Sequence, residues 1–368
     1  MTSWLPVENE AEIPSPALLI DLNRVDRNVR RMLEIAGGPE RLRPHVKTHK
    51  LGPLVKRQLG VGISKFKCAT IAEAEMLAQS GARDVMLAFP PSGPNIARLL
   101  QLAREFPETT FSTIADHSAT VRGLDVSARD ADLPIEVLLD IDCGMHRTGV
   151  PPGPEAANLY RLIASSPGLI AGGLHVYDGH NTESDRKARC AQVEREFAPV
   201  RQLRAELQTA GFSVPRLVAG GSPTFPCHAA YSDCELSPGT TVLWDFGYGD
   251  RFPDLEFEPA AVLLARVVSK PGMNRLCLDL GHKAVAAENP HPRVRFTELP
   301  DATAVMQSEE HLVLETPAAA EFAIGQTLHG IPRHVCPTVA LHSEVWVVES
   351  GRATGTWAID ARARRLSI

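Results

Sequence analysis

No uninterrupted apolar run in this sequence approaches the roughly 18 residues that a membrane helix needs. The opening stretch, MTSWLPVENEAEIPSP, lacks the basic start and apolar core of a signal peptide. The expectation is a soluble, cytoplasmic protein. There is no CxxC pair, and the seven cysteines, at positions 68, 143, 190, 227, 234, 277 and 336, are odd in number and scattered. Reduced thiols are therefore expected, and a disulfide framework is not. Positive charge is not in excess: the formal net charge is −6, which offers no global field to nucleic acid or an anionic membrane. No GxGxxG follows the first strand-like run, ALLID, which argues against a dinucleotide-binding doubly wound sheet. Internal repeats and low-complexity segments are also missing.

What remains is an ordinary globular composition, 44 % apolar and 22 % charged, over 368 residues. From residue 15 to 245 short apolar runs (PALLIDL, LRPHVKT, KFKCAT, DVMLAF, TTFSTIA, IEVLLDID, GGLHVY, PRLVAGG) alternate with amphipathic helical stretches. A further short strand is read near CELSPG. That alternation indicates βαβ units, and about eight of them predict an α/β fold, a (β/α)8 TIM barrel. After 245 the texture turns to strand-like runs split by Gly, Pro and charge, so residues 246–368 read as a C-terminal β-rich domain.

In such a barrel the chemistry sits at the C-terminal strand ends. The octet RPHVKTHK, residues 43–50, falls at one of them. Alternation along a strand puts Arg43, His45, Lys47 and His49 on one face and Lys50 on the other face or in the following turn. A lysine desolvated among cations yields a neutral amine able to form a Schiff base. Taken alone, the octet fits a solvated basic loop equally well. DCGMHRTGV ends another strand and carries Arg147, suited to pair with a phenolate, a carboxylate or a structural acid. VAGGSPTFP (218–226) and SPGTTV (237–242) are glycine turns whose N–H groups suit phosphate. In IPRHVCPT, His334 and Cys336 stand at i and i+2, so on a strand they would point the same way as a zinc-type donor pair; a chance pair with a buried cysteine is the plainer reading.

Together SPALLIDLNRVDRNVRRM, LRPHVKTHK, KCATIAEAEML, DCGMHRTGV, GGLHVYDGH, GGSPTFP and HVCPTV resemble the fold-type III pyridoxal-phosphate enzymes. Within them the chain is similar to the D-threonine aldolase and D-serine dehydratase branch, which shares its barrel with alanine racemase. The resemblance runs over residues 15–360. It implies the barrel plus a C-terminal β domain joined by residues 1–14, a homodimer, pyridoxal 5'-phosphate, and a divalent metal such as zinc, manganese or magnesium. Carried onto this sequence, it implies Lys47 as the cofactor's lysine, Arg147 near its phenolic oxygen and Tyr177 against its ring. It implies Gly221, Ser222, Gly239 and Thr240 around the phosphate, and His334 and Cys336 on the metal. In YDGH, beside Asp178, His180 is our choice for proton transfer at the substrate's β-hydroxyl. The implied activity is that of a lyase on small D-β-hydroxy amino acids, foremost a D-threonine aldolase. A dehydratase of D-serine or D-threo-3-hydroxyaspartate type comes next, and a non-catalytic cofactor-binding barrel after it.

Overall fold

The computed structural model describes residues 7–368. The chain opens with β1 (Ala17–Asp21) and α1 (Leu22–Ala36), then α2 (Gly52–Gly60), β2 (Lys65–Cys68), α3 (Ile71–Gln79) and β3 (Asp84–Leu87). It continues through α4 (Pro94–Glu105), β4 (Thr110–Ala115), α5 (Ser118–Asp130), β5 (Ile135–Ile141), α6 (Pro154–Ser165) and β6 (Leu169–Val176). The alternation closes with α7 (Arg186–Thr209), β7 (Arg216–Ala219), α8 (Phe225–His228) and β8 (Glu235–Leu236). Local chemistry sets these boundaries. The Thr70 hydroxyl accepts the Glu73 N–H while the Glu73 carboxylate accepts the Ala69 N–H, fixing the start of α3. Asp185 caps α7 through the Ala188 N–H, and prolines stand at the first turns of α4 and α6.

Two compact units result. One comprises Met32–Lys47, Gly52–Gly239 and Ala363–Ile368. In it β2 to β8 form a parallel sheet in sequence order. The gap from β8 back to β2 is spanned by residues 42–45: Leu42 bridges Leu236, and His45 bridges Lys67. Backbone N–H groups of Arg43, His45 and Lys67 donate to the carbonyls of Leu236, Pro238 and Pro44 across it. The ring is thus an α/β barrel with an irregular first member. One strand face packs Met86, Ile114, Leu138 and Val218 into a dry cluster. At its N-terminal end lie Lys65, Asp84, Glu136, Arg216 and Glu235, with the fully buried Arg43 fork gripping Asp84 at 2.7 and 2.8 Å and Glu235 at 2.6 Å. At its C-terminal end lie Lys67, Asp140 and His175, all buried.

The other unit holds the segment ending at Arg31, Thr48–Leu51 and Thr240–Arg362. Its elements are α9 (Phe246–Arg251), β9 (Ala261–Ser269), β10 (Arg275–Leu278), β11 (Val294–Phe296) and β12 (Thr303–Gln307), followed by β13 (Leu312–Glu315), β14 (Thr327–Pro332), α10 (Val335–Leu341), β15 (Glu344–Glu349) and β16 (Arg352–Ala358). The sheet runs β12-β13-β10-β9-β1-β15-β16, with β14 on β9 and β11 on β14. Leu19, Val262, Leu264 and Val348 share its core.

Three sequence expectations need correction here. Ala17–Asp21 heads the alternating series in the sequence, yet it pairs antiparallel with β9 and parallel with β15, where its apolar residues are buried on both faces. The octet is not a regular strand: pairing stops at His45, and Val46–Thr48 turns as a short 3-10 helix, so simple alternation does not extend to Lys47. The strand reading of CPTVALH also fails, because α10 starts at Val335. A fourth correction concerns the thiols. Cys190 of α7 and Cys227 of α8 are joined in a disulfide, 37 residues apart in sequence, while the other five cysteines stay as thiols. Scattered spacing carries no signal for a pair that only the packing of two helices brings together. Among the described residues no helix is long and apolar enough to cross a membrane.

Candidate active site

Tyr177 follows the last residue of β6 and collects three cations on its ring. Arg147 stacks with its guanidinium carbon 4.7 Å from the ring centroid, the Lys47 amine lies 5.7 Å from it, and the Lys67 amine 6.0 Å. The sequence pointed to the first two. It missed Lys67, whose signal was its parity with Lys65 on an inward strand face. Burial, then the charge of Lys47, push the Lys67 amine down to about 7. Arg147 is presented by the turn after β5, where the Asp142 carboxylate accepts the N–H groups of Gly144 and His146.

The Tyr177 ring is backed by glycine. A Cβ on Gly221 would stand 3.0 Å from its Cε2 atom, so only a bare backbone admits the ring at that distance. The Gly-Gly-Ser turn holding Gly221 is built by the residues around it. The Thr224 hydroxyl accepts the Gly221 N–H at 3.0 Å and donates to Asp178 at 2.6 Å, and Asp178 pairs with His228 Nε2 at 2.8 Å. Ser222 Oγ accepts the Gly239 N–H at 3.1 Å, so the two glycine turns read in the sequence meet. Thr240 belongs to the other unit, where its hydroxyl lies 3.7 Å from Cys336 Sγ.

Two histidines complete this rim, His175 buried and His180 partly so. His175 Nδ1 pairs with Asp140 at 2.7 Å, and its Nε2 is buried with no partner among the described residues. Burial lowers its pKa against the upward pull of Asp140. His180 Nε2 lies 2.8 Å from Glu196 Oε2 of α7, and its Nδ1 is likewise buried and unpartnered. Asn181 and Gln192 each donate to Glu196 at 2.9 Å. The sequence picked His180 but not Glu196, which is sixteen residues on and indistinguishable in the sequence from the surface acids of a helix.

In the C-terminal unit His334 precedes α10 as its cap residue and Cys336 sits in the first turn, a helix-start geometry where the sequence suggested a strand. His334 Nδ1 pairs with Glu288 at 2.6 Å. Burial pulls this imidazole down, but Cys336 and Glu288 outweigh it and hold its pKa up at about 9. Cys336 Sγ is 3.2 Å from the hydroxyl of Thr48, the residue that follows Lys47 in the chain. His45 Nδ1 accepts the Lys47 N–H, whereas His49 is fully buried, accepts the Leu51 N–H, and is pushed to about 3 by burial and Lys50.

An amine, an aromatic plate, a stacked guanidinium and paired glycine turns at the C-terminal rim of a parallel barrel are the groups that an enzyme working through a lysine-bound carbonyl cofactor would use. The comparisons agree. Residues 20–244 match the family model of the alanine racemase N-terminal domain, and residues 260–348 match a putative serine dehydratase domain. A D-threonine aldolase from Arthrobacter sp. is 31 % identical over 367 residues, covering 97 % of this chain and 95 % of that one. A 3-hydroxy-D-aspartate aldolase from Paracoccus denitrificans is 28 % identical, covering 98 % and 95 %. The crystal structure of D-threonine aldolase from Filomicrobium marinum superposes with a TM-score of 0.90 at 27 % identity, covering 97 % of each chain. The chain belongs to the fold-type III pyridoxal-phosphate enzymes, in the D-threonine aldolase and D-serine dehydratase family of lyases.

The residues fit that cofactor. The cations gathered on the Tyr177 ring and the buried, orphaned His175 Nε2 are what a flat, polar, anionic ring needs from its surroundings. For a metal the donors are sparser. Among the described residues no group of three or more His, Cys, Asp or Glu side chains is placed to hold one. The His334–Cys336 pair has a suitable donor set, and Glu288 on Nδ1 supplies the outer carboxylate that orients a ligating imidazole.

Proposed function

We propose that this chain cleaves D-β-hydroxy amino acids, that the bond broken is Cα–Cβ, and that D-threonine gives glycine and acetaldehyde. The observation that carries the reading is the clustering of Lys47 and Arg147 on the Tyr177 ring, backed by the Gly221 turn. Lys47 supplies the amine that holds pyridoxal phosphate, Tyr177 backs its ring, Arg147 faces its phenolic oxygen, and Gly221, Ser222, Gly239 and Thr240 bind its phosphate. When bound, that cofactor accepts the electron pair left on Cα. His180 takes the proton of the β-hydroxyl on Nδ1, and Glu196 fixes its ring by occupying Nε2. As that proton leaves, the hydroxyl oxygen becomes the aldehyde carbonyl and Cβ departs from Cα. His334 and Cys336 are the residues that would hold a divalent metal, which would supply Lewis-acid help at the hydroxyl.

A dehydratase is the second reading, favoured by the match of residues 260–348 and by the thiol in the His-x-Cys pair. There the amine of Lys47 removes the Cα proton, and the β-hydroxyl leaves. We propose further that the protein is a cytoplasmic homodimer. Incubation with D-threonine, pyridoxal phosphate and a divalent metal separates the readings. Glycine plus acetaldehyde supports the aldolase, 2-oxobutyrate plus ammonia supports the dehydratase, and neither product overturns both in favour of a binding barrel.

A further inference from the structure

Helix α8 continues the Gly-Gly-Ser turn without a break. The Gly221 carbonyl accepts the N–H groups of Thr224 and Phe225, so turn and helix are one hydrogen-bonded piece. His228, at the end of α8, closes back on the turn. A Cβ at Gly220 would stand 2.9 Å from its Cδ2 atom, at a backbone φ of +82° that suits glycine. His228 Nε2 pairs with Asp178, the residue after Tyr177, and its ring meets Phe197 of α7 edge-on at 4.6 Å.

One residue before His228, Cys227 is joined through sulfur to Cys190 of α7, the helix whose Glu196 fixes His180. The disulfide therefore ties the element that carries the glycine turn to the element that orients the proton-transfer histidine. With the S–S bond open, Phe197 still packs on His228 and Tyr231, and the Arg41 guanidinium still donates to the Ala229 and Tyr231 carbonyls. None of these contacts is covalent. The two sulfurs also differ in access: Cys227 is buried, whereas Cys190 is half-buried. Arg186 and Lys187, both exposed, stand four and three residues before Cys190 on the same helix face. Cations so placed favour a thiolate there and draw an anionic thiol toward it. In a cytoplasmic protein such a link faces a reducing thiol pool, where disulfides serve as sensors more than as braces.

We propose that Cys190–Cys227 is a thiol-exchange site, opened at Cys190 by small thiols of the glutathione class, and that opening it weakens the grip of the glycine turn on the cofactor's phosphate. The inference rests on the reading of Gly221 and Ser222 as phosphate ligands. In the first step an incoming thiolate bonds to Cys190 Sγ, the S–S bond breaks, and Cys227 leaves as a thiolate that takes a proton. A second small thiol then removes the first from Cys190 as a small disulfide. Two small thiols are oxidised to one disulfide, and the two cysteines are reduced to thiols with their two protons.

The test measures Kd for pyridoxal 5'-phosphate from the Lys47-dependent visible band, with the full chain oxidised and after a phosphine reductant. Reduction is expected to weaken binding at least fivefold, and reoxidation by a small disulfide to restore it. The double variant Cys190→Ser, Cys227→Ser should match the reduced form under both conditions. Pyridoxal, which lacks the phosphate, should bind both forms alike. Equal Kd values for the phosphate form, or the same change with pyridoxal, overturn the exchange site's link to the turn and leave the cofactor reading standing. No Lys47-dependent band in either form overturns that reading, and the proposal with it. Amide exchange separates a local effect from a general one. Residues 220–228 should exchange at least tenfold faster after reduction while β3 to β5 keep their rates, and acceleration through the whole barrel would make the disulfide a plain brace. Mass spectrometry with oxidised glutathione tests the point of entry. Cys190 in the Cys227→Ser variant should gain the adduct at least tenfold faster than Cys227 in Cys190→Ser, and equal or reversed rates overturn entry at Cys190.

Discussion

Glu196 is the fixed partner of His180: the carboxylate stands 2.8 Å from Nε2 and is itself held by Asn181 and Gln192. A histidine oriented in this way presents its other nitrogen in one tautomer. Glu196→Gln keeps the shape of the side chain but lets its amide turn a donor toward Nε2. The variant is expected to lose kcat by about 10–100-fold, the range seen when an outer-shell carboxylate is removed. KM and the visible absorbance of the loaded protein should stay as in wild type. A fall confined to KM, or loss of the absorbance, would assign Glu196 to folding instead.

The two lysines of the octet separate by the same kind of optical measurement. Lys47 faces Tyr177, whereas the carbonyl of Lys50 accepts the Ala361 N–H in the other unit. Lys47→Ala is expected to abolish the visible band that forms when pyridoxal phosphate is added, and Lys50→Ala to keep it. The opposite pattern would reassign the cofactor's lysine.

Lys67 makes a prediction about pH. Its folded-state pKa is depressed from 10.5 to about 7, by burial first and Lys47 second. Between those values the unfolded chain binds a proton that the folded chain does not, so the contribution of this residue improves as pH rises through the window and is poorest below 7. In the cofactor-free protein Lys67→Met should therefore raise the unfolding free energy measured in urea most at pH 6, by on the order of a few kcal/mol. The gain should shrink toward zero near pH 10. A gain equal at both ends would show that packing, not charge, sets the effect.

The Cys190–Cys227 link closes a 37-residue separation across β7. Loop-closure entropy assigns such a link about 4 kcal/mol. Unfolded protein prepared without reductant should titrate with five thiols, and a reductant or the Cys190→Ser, Cys227→Ser pair should lower Tm. A count of seven thiols would remove the disulfide.

Much of this was legible in the sequence, and what was lost has identifiable causes. The alternation of strands and helices showed the barrel because each period is local. Lys47, Arg147, Tyr177 and the Gly221 turn stood out because glycine pairs and clustered cations at strand ends are unusual. Ala17–Asp21 was misplaced because a strand buried on both faces reads alike in parallel and antiparallel company. His334 and Cys336 were found through a strand spacing that does not exist, since a helix cap followed by a first turn places its residues differently. Glu196, Lys67 and Asp140 were missed because their partners come from other strands or the next helix, and one sequence carries no trace of that pairing.

The close approach of Tyr177 to Gly221 also bears on how readily this protein can acquire new substrates. A side chain at Gly221 presses on the ring, which must then give by a few tenths of an ångström, so a mutant library should be depleted of substitutions there whatever compound is used for selection.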